Sequence, residues 1–116
     1  MENVKINLSF STNLNYILLN LKKAIEEANS LENQTYLELS KAQIIEYLND
    51  IYLKLLPWQD NYNTQNYEII IKNYKEIEVT ISQLELCLAD YDSIFHIEGI
   101  SYSLFQIGKI LSIYNK

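Results

Sequence analysis

His96 and Cys87 are the two side chains of this sequence whose chemistry most often serves catalysis or metal binding. His96 is the only histidine and lies between Asp92 and Glu98, an arrangement that suggests a metal site. A di-metal helical bundle needs Glu-x-x-His on two of its helices, and the sequence contains no such motif. A calcium-binding loop needs glycine at the position that Phe95 occupies. We therefore expect a structural or capping role for His96, with no metal and no cofactor.

Cys87 is the only cysteine, so it cannot form a disulfide within the chain. A reactive thiol needs a nearby base or a helix N-terminus, whereas Cys87 lies near the predicted C-terminal end of a helix. We expect an inert, partly buried thiol. Because no nucleophile with a matching base and no phosphate-binding loop accompanies it, the sequence does not predict an enzyme.

The charged residues are strongly unbalanced. Nine lysines, no arginine and fifteen acidic residues give a formal net charge of −6. Nucleic-acid recognition depends on clustered cations and on the bidentate guanidinium of arginine, so we expect no nucleic-acid partner. A basic or neutral protein partner fits an acidic chain better. Abundant Asn, Ile, Lys and Tyr without Arg are typical of A/T-rich codons and suggest a bacterial or phage source.

The cellular compartment is predicted from three further features of the sequence. A single cysteine fits a reducing compartment. The first ten residues lack the pattern of a secretory signal, and no run of about 18 apolar residues is present to cross a bilayer. These features predict a cytoplasmic protein that does not bind membranes.

Hydrophobic periodicity predicts an all-α single domain over residues 1–116. With 48% hydrophobic residues, two glycines and one proline, the chain is too apolar for disorder and too poor in turn residues for a β fold. The predicted helices cover about residues 12–29, 35–56, 64–89 and 93–114. Short connections make successive helices antiparallel, which favours an antiparallel up-down four-helix bundle.

The second helix has the clearest predicted boundaries. Thr35 followed by Glu38 forms a capping-box pattern, and Pro57 ends the helix because proline lacks an amide donor and disfavours helical geometry before it. The apolar residues predicted to line its inner side are Leu37, Ile44, Leu48, Ile51 and Leu55.

The N-terminal residues 1–11 follow a different pattern. Val4, Ile6, Leu8 and Phe10 alternate with polar residues, as in a half-buried strand. Because no second segment offers a partner strand, we expect a short extended N-terminal arm on the bundle, with a helical extension of the first helix as the alternative.

The third and fourth helices carry more apolar residues than one buried stripe requires. Val79 and Leu86 point away from the predicted inner side of the third helix. Phe95, Tyr102 and Ile113 form a similar outer stripe on the fourth helix, flanked by Phe105. These residues predict a binding surface for another protein or for a second copy of the chain.

Three aromatic residues in or near the second helix are further candidates for that interface. Tyr36 and Tyr47 lie eleven residues apart and nearly align on one flank of the predicted helix, and tyrosine is favoured at interfaces because it keeps a polar tip. Trp58, the only tryptophan, follows Pro57 in a polar segment. It is predicted either to cover the open end of the bundle, the favoured interpretation, or to anchor a partner.

Together these features predict a non-enzymatic protein-binding module. Small acidic inhibitors, immunity proteins, antitoxins, secretion partners and phage counter-defence factors are of this kind, and they act by occluding or sequestering a protein partner. The alternatives are a bundle that binds a small ligand or metal and a self-assembling structural subunit.

Overall fold

Four long helices and one single-turn helix make up most of the protein, and the computed structural model describes residues 2–61, 67–92 and 94–114. The helices are α1 (Glu2–Asn29), α2 (Lys41–Leu55), α3 (Trp58–Asn61), α4 (Tyr67–Cys87) and α5 (Ile94–Tyr114). A two-stranded antiparallel hairpin, β1 (Thr35–Tyr36) and β2 (Leu39–Ser40), lies between α1 and α2. The predicted all-α four-helix bundle is confirmed.

The four long helices form a ring around one core. α1 packs along α5 most extensively and also packs against α2, and α4 closes the ring by contacting α5 and α2. The molecule is elongated, with extents of 49 × 22 × 20 Å, because α1 alone spans about 42 Å at 1.5 Å per residue.

The core is built from the apolar residues that recur at spacings of three and four. This spacing brings side chains to one face of a helix, so each long helix turns a stripe of Leu and Ile inward. The most fully buried Leu and Ile residues on the four long helices are Leu14, Ile17, Leu21, Ile44, Leu48, Ile51, Leu55, Ile77, Leu84, Ile97, Ile100 and Ile107.

The first residues of the chain are helical, so the expectation of an extended arm over residues 1–11 is wrong and the helical alternative is correct. α1 begins at Glu2. Phe10 explains the difference, because it lies four residues before Leu14 and seven before Ile17 and therefore continues their helical stripe. All three side chains are buried. Alternation over a few residues is weak evidence for a strand when no partner strand exists.

α2 begins six residues later than the sequence predicts. Ser40, not Thr35, caps the helix: Ser40 Oγ accepts a hydrogen bond from the Gln43 amide at 3.2 Å, and Gln43 Oε1 accepts one from the Ser40 amide at 2.9 Å. Ser40 and Gln43 thus form a capping box five residues after the Thr35 and Glu38 pattern. Glu38 instead lies in the loop of the hairpin.

Leu37 is in the turn of the hairpin rather than on the inner side of α2. Its φ of 56° lies in the left-handed region, and the side chain is 69% exposed. The turn brings Tyr36 and Leu39 into register across the hairpin, and both are buried. Burial of these two neighbours leaves Leu37 at the surface.

α2 ends where the single proline predicts. The last helical residue is Leu55 and Pro57 follows it, after which α3 begins at Trp58. No helix among residues 2–61, 67–92 and 94–114 combines the length and apolar character needed to cross a bilayer.

Candidate protein-interaction surface

α5 is the most apolar helix of the bundle. Among its 21 residues only Glu98 and Lys109 carry full charges, apart from the titratable His96. A helix that is apolar on all sides is normally buried on all sides. The outer side of α5 is exposed, however, and Phe95, Tyr102 and Phe105 are each 58–70% exposed. α5 therefore presents an apolar surface to solvent that the bundle does not use.

α4 carries two further exposed apolar residues, and one of them borders α5. Val79 and Leu86 are seven residues apart and therefore share one side of α4, and each is 69% exposed. Leu86 lines a groove between α4 and α5 together with Ile94, and the carboxylates of Glu85 and Glu98 border the same groove. We call Val79, Leu86, Phe95, Tyr102 and Phe105 the apolar surface.

α1 adds an aromatic ring on the other flank of α5. Gly99 lies four residues after Phe95 and three before Tyr102, so the three positions are neighbours on the helix surface. The Tyr16 hydroxyl lies 2.9 Å from the point where a Cβ on residue 99 would stand. The half-exposed ring of Tyr16 therefore covers the bare backbone of Gly99, between the two aromatic residues of α5.

Tyr16 was not found from the sequence because it lies outside the apolar stripe of α1. Leu19, also on α1, is exposed for the same reason. The available signal was Gly99, since a glycine within a helix often marks a place where another group approaches closely. Gly99 marks a place of close approach on α5, but it does not identify Tyr16 as the side chain that occupies that place.

A second glycine of α5 sets the spacing between α5 and α4. The Tyr74 hydroxyl of α4 lies against Gly108, where a side chain would meet it. Burial raises the pKa of Tyr74, and the nearby carboxylate of Glu78 raises it further because a negative neighbour disfavours the phenolate. Tyr74 is thus a packing residue between α4 and α5.

Tyr36, which the sequence predicts to contact a partner, belongs to the core and is not exposed in the folded chain. It is 3% exposed, and its hydroxyl donates to the Glu32 carbonyl at 2.7 Å. Its ring makes an edge contact with Tyr91, with centroids 4.9 Å apart. Burial raises the pKa of Tyr36, and Tyr91 and Glu32 raise it further. The β1–β2 hairpin lies where the sequence predicts the start of the second helix, and it turns the Tyr36 ring toward the core.

Trp58, another candidate partner-binding residue, is also buried, as the favoured packing interpretation expects. Its ring is 2% exposed and lies 6.1 Å from the Phe10 ring, centroid to centroid. The single turn of α3 positions it there, against α1. The helical N-terminus of α1 and the buried tryptophan therefore depend on each other.

Tyr47 and Ile113 are the two remaining candidate partner-binding residues. Tyr47 is half-buried and packs against the core, which makes it a boundary residue and not a freely exposed one. Ile113 lies within α5, but its side chain falls outside the described residues. Tyr47 is therefore not part of the apolar surface.

His96 joins α5 to α1 through two polar contacts. Its Nε2 lies 2.9 Å from Glu27 Oε1, and its Nδ1 lies 3.2 Å from Asn20 Oδ1. The Asn20 amide is oriented by its own Nδ2, which donates to the Tyr16 carbonyl at 2.9 Å. Both ring nitrogens thus lie within hydrogen-bond distance of side-chain oxygens of α1. The described residues contain no group of three or more His, Cys, Asp or Glu side chains that could hold a metal ion. The structural role of His96 stays a prediction.

Cys87 is a free thiol buried at the C-terminal end of α4. It is 6% exposed, so it is more fully buried than predicted. A thiol in this position contributes apolar volume to the core.

Comparison of the chain with protein-family models, with curated proteins and with solved structures gives no match. The interpretation of the apolar surface therefore depends on its own geometry and chemistry.

Proposed function

We propose that this protein is a non-enzymatic binding module whose apolar surface on α4 and α5 binds another protein chain and so occludes or sequesters it. The observation that supports the proposal is the exposed outer side of α5. Small acidic inhibitors, immunity proteins, antitoxins, secretion partners and counter-defence factors work in this way, and we place the protein in that functional group. A cytoplasmic location stays a prediction from the sequence.

The size of the surface is sufficient for binding. Burying one large apolar side chain contributes about 1.5–3 kcal/mol, and association costs an estimated 4–15 kcal/mol in lost freedom. Five such side chains, with the neighbouring ring of Tyr16, can offset a cost in the middle of that range. Isolated exposed leucines are common, but aromatic residues concentrated on one helix are typical of interfaces.

The charge around the surface suggests the character of the partner. Glu85 and Glu98 border the groove between α4 and α5, and the chain carries a net charge of −6. A partner with basic or neutral residues around an apolar centre would meet this surface without like-charge repulsion. The proposal therefore does not include nucleic acid.

A paired-variant binding experiment tests the proposal. Val79→Asp with Tyr102→Asp places two carboxylates on the apolar surface, and Leu53→Asp is a matched control because Leu53 is a similarly exposed apolar residue on α2. We expect tagged wild-type protein and Leu53→Asp to retain the same partner from the native host. The double variant should lose that partner while its circular dichroism spectrum stays helical.

Two results would contradict the proposal. If the double variant keeps full binding to every partner and full self-association, the surface is not an interface. Alternatively, the double variant unfolds while the wild type is monomeric at high concentration, and Val79 and Tyr102 are then needed for the fold itself.

A further inference from the structure

The outer side of α5 carries a regular strip of residues. Their spacing alternates between three and four, which places them along one line of the helix, as in the seam of a coiled coil. All six are exposed. We call this set the outer strip, and its members are Phe95, Glu98, Tyr102, Phe105, Lys109 and Ser112.

The outer strip is symmetric about the midpoint between residues 103 and 104. Tyr102 and Phe105 lie nearest that midpoint, one on each side. Glu98 and Lys109 lie at equal distances further out, about 16 Å apart along the helix. The strip thus has an aromatic centre between two opposite charges.

The two charges are available for a partner. Within the described residues, neither Glu98 nor Lys109 forms an ion pair, and the Lys109 ammonium lies 4.7 Å from the Phe105 ring centroid. They are too far apart to pair with each other. An oppositely charged partner is needed at each end of the strip.

We infer that the occupant of the outer strip is a second copy of this chain, with the two α5 helices antiparallel about a two-fold axis. In this arrangement Glu98 of each copy faces Lys109 of the other, so two ion pairs flank a centre of Tyr102 and Phe105 side chains. A two-fold interface must be complementary to itself, and the symmetric strip meets that condition. The inference rests on the proposed function, since it names a partner for the α5 part of the apolar surface. The second copy presents the basic Lys109 to Glu98 despite its acidic net charge. The two α4 residues of the apolar surface lie outside this strip.

A parallel arrangement of the two helices does not satisfy the charges. It would place Glu98 against Glu98 and Lys109 against Lys109, and like charges across an interface are strongly unfavourable. An unrelated partner would have to supply the same spacing of a cation and an anion. The second copy supplies it by symmetry.

Charge reversal tests the arrangement. Either Glu98→Lys or Lys109→Glu alone produces two like-charge contacts per dimer, so we expect the dimer dissociation constant to rise at least about tenfold for each. Mixing the two single variants restores an opposite charge at both contacts, and the mixture should form a heterodimer close to wild-type strength. Sedimentation velocity measures each species against the chain mass of 13.7 kDa.

The control for this experiment is Glu46→Lys, which makes the same charge change at an exposed position of α2. It should dimerise like the wild type, and all variants should keep the same helical circular dichroism signal. Restoration in the mixture cannot come from an effect on folding, because each chain keeps its own substitution.

The outcomes separate this inference from the proposed function. A wild-type chain that stays monomeric at millimolar concentration overturns the inference, as does a dimer that neither single variant weakens or whose mixture shows no recovery. If such a monomer still loses a host partner through Tyr102→Asp, the proposed function stands. Weakening by both single variants with recovery in the mixture supports the inference.

Discussion

α2 and α5 face the same core, but their outer sides differ. Both helices turn isoleucine and leucine inward at spacings of three and four. The outer side of α2 is mainly polar, and Leu53 is its one large exposed apolar residue, whereas three of the six residues in the outer strip of α5 are aromatic. The inner pattern is enough to explain the bundle, so the outer side of α5 points to a role outside the fold.

The largest expected effect is a difference between substitutions on the two sides of α5 in how far they lower the free energy of unfolding. Ile107→Ala should lower the free energy of unfolding by about 2–5 kcal/mol, because it leaves a cavity in the core. Tyr102→Ala should change it by no more than about 0.5 kcal/mol in the monomer. Urea denaturation at low protein concentration measures both. Equal losses would mean that the outer side is also packed.

Trp58 is a buried aromatic residue, in contrast to the exposed rings of α5. Trp58→Ala should cost about 3–5 kcal/mol, since the ring fills the space beside Phe10. The wild-type fluorescence should be blue-shifted and poorly quenched by acrylamide. Red emission that acrylamide quenches freely, with no loss of stability in the variant, would place Trp58 at the surface.

The start of α2 gives a smaller effect. Ser40→Ala removes the hydroxyl that accepts from the Gln43 amide and should destabilise the protein by about 0.5–2 kcal/mol. Thr35→Ala, at the position that the sequence favours, should cost less because Thr35 is in β1. Thermal melts of the two variants compare them, and a larger loss for Thr35→Ala would argue for a helix that begins earlier.

Alkaline pH should have the smallest effect on the free energy of unfolding. It acts through Tyr74, whose hydroxyl lies against Gly108 of α5. Burial raises the pKa of Tyr74 above its ordinary value of 10.0, so the unfolded chain loses this proton at lower pH than the folded chain. The unfolded state then binds fewer protons, and the free energy of unfolding falls as pH rises past about 10. Tyr74→Phe should make that fall shallower in urea titrations at pH 8 and above 10.

Part of the alkaline loss should remain in the Tyr74→Phe variant. The hydrogen bond from Lys54 to Asp50 raises the pKa of Lys54 above 10.5, and Glu76 raises it further although partial burial acts against this. Its stabilising contribution is therefore present below about pH 10.5 and is lost as pH rises through the folded pKa. An unchanged pH dependence in Tyr74→Phe would show that burial of Tyr74 contributes nothing.

Most of the fold could be predicted because the inner stripes are periodic over many turns. Ile44, Leu48, Ile51 and Leu55 on α2 are all buried, as their spacing predicts. The helix boundaries were harder to predict from the sequence. Two capping-box patterns lie five residues apart, and only tertiary packing decides that Ser40 begins the helix.

The candidate surface could be predicted in part. Val79, Leu86, Phe95 and Tyr102 are exposed as expected, because helical spacing fixes which side of a helix a residue occupies. Tyr36 was misassigned because a local turn rotated it into the core. Contacts between helices, such as the ring of Tyr16 over Gly99, depend on a pairing that one sequence does not specify.

Photo-cross-linking from position 102 tests most directly whether the outer side of α5 is an interface. Replacing Tyr102 with benzoylphenylalanine places a reactive group at the centre of the outer strip, and the same replacement at Leu53 of α2 is the control. Irradiation should give a covalent product of two protein chains from position 102 and little from position 53. No product from position 102, or equal yields from both positions, would contradict the account.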